Sequence, residues 1–448
     1  MPLLLGETFS FDQTVPVRRP GTAVAGEART TIAIIGAGLA GLVCAYRLAD
    51  GGRRRLDRSQ VVVLEREAQP GGRIRSLQVG DTVLNLGAVT FQPEHYQRYR
   101  ALLTELGLTN GVRVIPRRRM IFGYQARATR TDTPSLLWDT VKGLLGRGLF
   151  SPAESWQLLR FYLFLRRIAA PEAEAERMAL HEISVAQWAL KSGFSASLQR
   201  KFVDPSTRYC FRAPEEVSAA FGVFLLGFNL SHPATLVGGF GQVADALARP
   251  LGGVLELEAT ALEVAREPGG FAIVYVKNGR LHRLHARSLV VAVPANVAAQ
   301  LVPEMRARAS TVAYGAGAGT VVSGTLKEEA EAQLHLRVSV GPNGTVIYGG
   351  EIQARPGGGH YANVLTYRGD DPLPEASKLF LQQRVERLTH YRIHPAAAAP
   401  KPGQKPLPME WGDGLYLAGD CVGLFPSQET AVSTGEEVAR LLRGEAVR

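Results

Sequence analysis

Cysteine is scarce. Cys44, Cys210 and Cys421 are the only three in 448 residues, and no two of them form a CxxC pair. Their spacing excludes a disulfide framework and a zinc site, points to a reducing compartment, and rules out redox chemistry between paired thiols. Long apolar runs are missing too: no stretch reaches the roughly 18 residues a spanning helix needs. No signal peptide is read at the N-terminus, because Met1–Leu5 is too short an apolar run and none follows Arg18-Arg19. His95, His181, His232, His360, His390 and His394 are scattered without metal-ligand spacing, so no metal site is expected. Anionic charge is in deficit: 51 Lys+Arg against 41 Asp+Glu give a formal charge of +10. Such a balance suits nucleic acid, an anionic membrane surface or an arginine-rich genome. The arginines are dispersed and no nucleic-acid motif is found, so nucleic acid is not expected as a partner.

What is present is the composition of a globular chain, 46% hydrophobic and 21% charged, with 48 glycines that gather in short turn-like clusters. The length allows two to three domains. Residues 1–29 show no sustained period and read as an extension, wrapped on the surface or disordered. From Thr30 the pattern changes. Thr31–Ile35 is a β-branched apolar run, Gly36-Ala37-Gly38 ends it, Leu39–Leu48 has helical spacing, and Val61–Leu64 is a second buried strand. This is a βαβ unit of a parallel sheet.

Gly36-Ala37-Gly38-Leu39-Ala40-Gly41 matches G-x-G-x-x-G between that strand and helix. Gly36 permits the tight turn, Gly38 a close approach to a pyrophosphate, and Gly41 tight helix–strand packing. The helix N-terminus offers its N–H groups to phosphate. The second strand ends at Glu65, an acceptor for ribose hydroxyls; the basic insert at Gly52–Arg55 lengthens the interval.

NAD and FAD share this fingerprint, and the residues that follow separate them. Glu65-Arg66 leads through Glu67 to Gly71-Gly72-Arg73. The run resembles the flavin-containing amine oxidase superfamily, which also holds protoporphyrinogen oxidase and the phytoene and squalene-type desaturases. The resemblance implies that Gly71, Gly72 and Arg73 pass over the phosphates of FAD, Arg73 through its planar fork of donors. A surface salt bridge is the other reading of Arg73. Leu84–Ala88, with Gly87, Ala88 and Val89, resembles the family's strand beside the flavin. Gly238–Gln242 resembles its second glycine signature, and the strand through Ala261 the one that meets the adenine. Leu415–Ala418 with Gly419-Asp420, then Thr430-Ala431-Val432, resembles the segment that closes the flavin site, with Thr430 where a glycine is usual.

Covalent attachment in this superfamily uses a cysteine shortly before the last strand. None lies between Cys210 and Cys421, so the resemblance implies non-covalent FAD. Gly315–Gly319 lacks an acidic partner, so no second nucleotide site is expected and the electron acceptor is oxygen or a quinone. The implied fold is α/β: a Rossmann-like FAD-binding domain with a parallel sheet (residues 30–125, 236–302 and 400–448) interleaved with an α+β substrate domain (126–235 and 303–399).

The strand Ala313–Val322 has no lysine where amine oxidases commonly carry one, and AGD at 418–420 resembles the desaturases. The leading expectation is an FAD-dependent desaturase or dehydrogenase of an apolar small molecule, polyisoprenoid or tetrapyrrole. An amine or amino-acid oxidase is the alternative. A flavoprotein without net redox turnover, an isomerase, cyclase or partner-binding subunit, is another. No catalytic side chain is assigned. Lys142, Arg147, Arg160, Arg166 and Arg167 interleave with Leu144, Leu145, Leu149, Trp156, Phe161 and Leu163. That pattern fits a helix on a membrane surface or one covering the substrate domain's core. Phe221–Leu226 lines an apolar tunnel or is core. The expected location is the cytoplasm, with peripheral membrane contact compatible with the basic segment.

Overall fold

The computed structural model describes residues 24–115, 150–168, 170–228, 232–325, 352–367 and 385–444, with the backbone of strands at 3–4, 11–12, 120–124, 127–130, 336–340 and 346–351. Its helices, in chain order, include α1 (Leu39–Leu48), α2 (Gln97–Glu105), α3 (Pro152–Ile168), α4 (Glu174–His181), α5 (Val185–Lys191), α6 (Ala219–Phe228), α7 (Gly241–Ala248), α8 (Ala295–Leu301) and α9 (Gln428–Leu442).

A seven-stranded sheet forms the centre. Strand β1 (Val24–Ile35) pairs in parallel with β2 (Val61–Leu64) on one side and with β3 (Arg280–Val291) on the other. Leu255–Glu256 extends the sheet beyond β2, and Leu415–Leu417 pairs in parallel with the end of β3. An antiparallel hairpin, Ala259–Glu267 with Gly270–Lys277, completes it. Both faces are covered. Leu42, Val43, Phe240 and Val432 pack on one, and Phe271, Leu289, Ala298 and Met305 on the other. Burial on two sides explains why Val61–Leu64 and Ile32–Ile35 read as near-continuous apolar runs. The first strand begins at Val24, seven residues before its apolar run at Thr31–Ile35. Its outer half is largely exposed and is held by pairing with β3, so it carries no hydrophobic signal.

The second sheet has eight strands. At its heart β4 (Gly317–Gly324) lies antiparallel between β5 (His360–Tyr367) and β6 (Glu386–His394). Met120–Tyr124 also joins this sheet, pairing in parallel with Leu336–Val340. Leu3–Leu4 pairs with Ser76–Val79 in a small three-stranded sheet, and Phe11–Asp12 pairs with β6 of the second sheet. The mixed α/β architecture expected from the sequence is therefore present.

Helices α3 to α6 form a layer around Leu158, Phe161, Trp188, Phe194 and Phe202. Phe161 meets Trp188, Phe194 and Phe202 edge-on at 5.6–6.0 Å, a favoured arrangement of ring quadrupoles. Residues 135–149, including Lys142, Leu144, Leu145, Arg147 and Leu149, lie outside the described residues. Among the described residues no helix is long and apolar enough to cross a membrane.

Candidate cofactor and active site

A cavity of about 670 Å³ runs along the carboxyl ends of β1, β2 and β3 and on towards the second sheet and α6. Open α/β sheets bind ligands at the carboxyl ends of their strands.

The end at β2 is built from the first βαβ unit. Gly36, Gly38, Leu39 and Ala40 line the cavity. The two inner glycines of the motif do different work. A Cβ on Gly38 would meet nothing within 4 Å and would project into open space, whereas one on Gly41 would collide with the Gly36 carbonyl. Ala37 is buried behind the wall, and its N–H donates to Glu65 Oε2 at 2.7 Å. Glu65 Oε1 accepts from the Glu67 N–H at 3.0 Å. Burial pushes the Glu65 carboxyl above its ordinary pKa, and these two N–H groups offset only part of that. A carboxylate has about four acceptor sites, so two remain for ribose hydroxyls. Arg66 lines the same end, as do Ala261 and its neighbours Thr260 and Leu262.

Gly71, Gly72 and Arg73 form the middle of the wall. The Gly71 N–H donates to the Ala37 carbonyl at 2.8 Å, which lays this turn over the start of α1. Arg73 is held by protein groups. Its Nη1 and Nη2 donate to Asp420 Oδ2 and Oδ1 at 2.8 and 2.7 Å, and Nη1 also donates to the Ala396 carbonyl at 2.7 Å. This is an ion pair in the cavity wall, so neither a surface salt bridge nor a phosphate contact alone describes it. Three of the five guanidinium donors are used, which leaves two for an anion. Gly87, Ala88 and Val89 line the next stretch, where the Ala88 N–H donates to the Arg73 carbonyl at 3.0 Å.

Gly419, Asp420 and Ala431 close the far wall. The Gly419 N–H donates to Thr434 Oγ1 at 3.0 Å, which fastens the last strand to α9. Ser427 caps α9 by accepting from the Thr430 N–H at 3.1 Å. Thr430 is turned away from the cavity. Its hydroxyl donates to the Phe425 carbonyl at 2.6 Å, so the missing glycine leaves the wall unchanged. Val432, like Gly41, packs behind the wall.

Sequence reading missed several lining residues. Ser427 and Gln428 stand at the cavity wall where α9 begins, and the buried Gln428 Nε2 has no partner. Ala396 and Ala397 arrive from the loop after β6, and Tyr96 and Tyr209 from segments with no motif. The second glycine signature does not reach the cavity. The Phe240 and Gly241 N–H groups donate to Asn85 Oδ1 and Ser76 Oγ at 2.7 and 3.0 Å, so it braces the hairpin behind the flavin-side loop. The glycines of β4 have a packing role, since a Cβ on Gly317 or Gly319 would strike the Phe211 or Tyr391 ring. The three thiols are buried and unpaired. Burial raises each to about 12, which keeps them protonated and unreactive. Among the described residues no His/Cys/Asp/Glu cluster could hold a metal.

The donor set fits FAD. Glu65 offers acceptors for a ribose. The N-terminus of α1 and the open space at Gly38 suit a pyrophosphate. The orphaned Gln428 amide at the start of α9 would offer a donor to a polar edge of the flavin.

Known proteins agree. The family model for flavin containing amine oxidoreductase matches residues 39–347. An L-amino acid oxidase of Crotalus durissus cumanensis is 34% identical over 85 residues, 19% of this chain and 16% of that protein, so the chain matches only a small part of this relative. Two solved structures share the fold. A redesigned double mutant of putrescine oxidase has a TM-score of 0.69 at 16% identity, covering 94% of this chain and 100% of that one. A putative protoporphyrinogen oxidase from Exiguobacterium has a TM-score of 0.66 at 15% identity, covering 94% and 99%. The chain belongs to the flavin containing amine oxidoreductase family.

Proposed function

We propose that this oxidoreductase takes hydride from an apolar, uncharged substrate, in the manner of a desaturase or dehydrogenase of a polyisoprenoid or tetrapyrrole. One observation carries the reading: among the described residues, the part of the cavity not needed for the cofactor is lined without charge. Its wall is Tyr96, Tyr209, Phe211, Phe221, Phe224 and Leu225, with Leu365 and Ile393 from the second sheet. The charged lining residues are Glu65, Arg66, Glu67 and Arg75 at the β2 end, and the Arg73–Asp420 pair, whose charges cancel. An ammonium or carboxylate brought into such a wall would lose its hydration without gaining a counter-ion.

Bound FAD supplies the two-electron acceptor. The chain's own part is to hold the substrate, exclude water and keep its polar groups neutral. Tyr209 Oη lies 3.5 Å from Thr90 Oγ1. Burial pushes the phenol up to about 12, so near neutral pH it orients a substrate by hydrogen bonding and carries no charge. The absence of lysine from β4 supports the same reading.

Amine oxidation is the second reading, favoured by the family match and by the putrescine oxidase likeness. Anaerobic reduction of the bound flavin separates the two. Bleaching of the yellow band by a polyene precursor or a porphyrinogen, and not by amines, supports the apolar substrate. Bleaching by putrescine or an L-amino acid overturns it.

A further inference from the structure

Exposed apolar side chains are unevenly distributed. Eight large ones stand exposed among the described residues, and four of them, Trp156, Leu163, Met178 and Leu190, belong to the helical layer of α3, α4 and α5. Scattered exposed apolar residues are ordinary, but a concentration of them marks a contact surface.

Helix α3 shows what kind. Its inner face is buried through Leu158, Phe161 and Ile168. Its outer face carries Trp156 and Leu163, 56% and 58% exposed, seven residues apart and so nearly eclipsed on the helix. Arg160, Arg166 and Arg167 are exposed beside them. The helix's one acidic residue, Glu154, is buried against Lys201 and contributes nothing outside. Glu176 engages Arg167, while Arg160 and Arg166 have no acidic partner among the described residues. A tryptophan and a leucine between uncompensated arginines form a surface that is apolar in the middle and cationic at its edges.

We infer that α3 docks on an anionic lipid surface, lying in the headgroup plane with Trp156 and Leu163 inserted and Arg160 and Arg166 on the lipid charges. A length of 17 residues, about 25 Å, suits a helix lying along the surface, and tryptophan is favoured at that depth. Anionic lipid is the occupant that answers both features at once, since zwitterionic lipid leaves the two arginines unused. The orientation also gives the docking a purpose. Leu165 of α3 packs against Gly227 of α6, and Phe221, Phe224 and Leu225 of α6 line the cavity. One helix layer therefore separates the docking face from the substrate end, so docking would bring that end close to a pool of apolar molecules. The docking itself does not depend on the substrate reading.

The test is flotation of the full-length, FAD-loaded protein with phosphatidylcholine vesicles, with and without phosphatidylserine. The expected result is co-flotation with the phosphatidylserine vesicles only. The Arg160→Gln/Arg166→Gln variant should partition on the order of tenfold more weakly, and Trp156→Ala/Leu163→Ser should lose most binding. Retention of the flavin absorbance shows that each variant is folded. Three results would overturn the inference: no flotation with either vesicle, equal flotation with both, or flotation undiminished in the variants. Self-association lost in Trp156→Ala would also overturn it, by making the face a contact between copies of this chain. None of these outcomes alters the substrate reading, which rests on flavin reduction.

Discussion

Arg73 and Asp420 stand 347 residues apart in the chain and meet through two parallel hydrogen bonds of 2.7 and 2.8 Å in the wall of the FAD cavity. The pair joins the turn after β2 to the end of the last strand, so the two chain segments that enclose the cofactor are held by one charge-assisted fork. Asp420→Asn leaves the guanidinium without its counter-charge in a partly buried site. Loss of such a pair costs on the order of 3 kcal/mol. The expected result is a lower thermal midpoint without FAD and weaker FAD retention. Arg73→Lys keeps the charge but not the fork and should be intermediate. Calorimetry with and without FAD checks both, and an unchanged midpoint for Asp420→Asn would contradict the role given to the pair.

The two glycines of the fingerprint should fail differently. Gly38→Ala puts a methyl into the space a pyrophosphate would take and disturbs nothing else, because a Cβ there has no neighbour. The chain should keep its thermal stability without FAD and lose FAD binding. Gly41→Ala drives a methyl into the Gly36 carbonyl. Overpacking of that kind costs about 1–3 kcal/mol, so its FAD-free midpoint should drop. Parallel thermal melts and flavin titrations separate the two.

Acid should loosen the cofactor before it unfolds the chain. Burial raises the Glu65 carboxyl above the ordinary 4.5, so it gains a proton at a higher pH than an exposed glutamate. Once protonated it is a poorer acceptor for ribose hydroxyls. FAD affinity should fall as pH drops towards that raised value, and Glu65→Gln should bind more weakly near neutral pH with a flatter profile that meets the native one in acid. Fluorescence titration of FAD from neutral to mildly acidic pH reads this directly.

Glu154 behaves in the opposite sense. Burial opposes its charge, but the Ser151 N–H, the Ser197 hydroxyl and the Lys201 ammonium outweigh burial and hold the carboxyl below 4.5. A lowered pKa in the folded state contributes stability that is complete above the ordinary value. That stability is lost as pH falls through the lowered one. The stability difference between the native chain and Glu154→Gln should therefore be constant above 4.5 and shrink below it. Chemical denaturation across that range measures it.

How much of this was legible follows from where each residue sits. Gly36 to Glu65 could be read because one short segment carries the strand, turn, helix and acid together. The remaining motifs were placed by resemblance, and the structure shows what each does: Asp420 clamps Arg73, Thr430 caps a carbonyl, and Gly238–Gln242 braces a hairpin. Tyr209, Ala396 and Gln428 gave no local signal. They converge when the segment between α5 and α6, the loop after β6 and the start of α9 come together at the cavity, and a chain read one window at a time does not show that convergence. The outer half of β1 was missed for a related reason, since its hydrogen bonds to β3 and not its side chains make it a strand.

The most direct test of the account is the visible spectrum of the purified full-length chain after incubation with FAD and removal of excess, followed by acid precipitation. The expected result is a stoichiometric flavin band that passes wholly into the acid supernatant, as buried, protonated thiols and a dissociable cofactor require. A chain that shows no flavin band after loading would contradict the assignment of the cavity, and flavin that stays with the precipitate would contradict non-covalent binding.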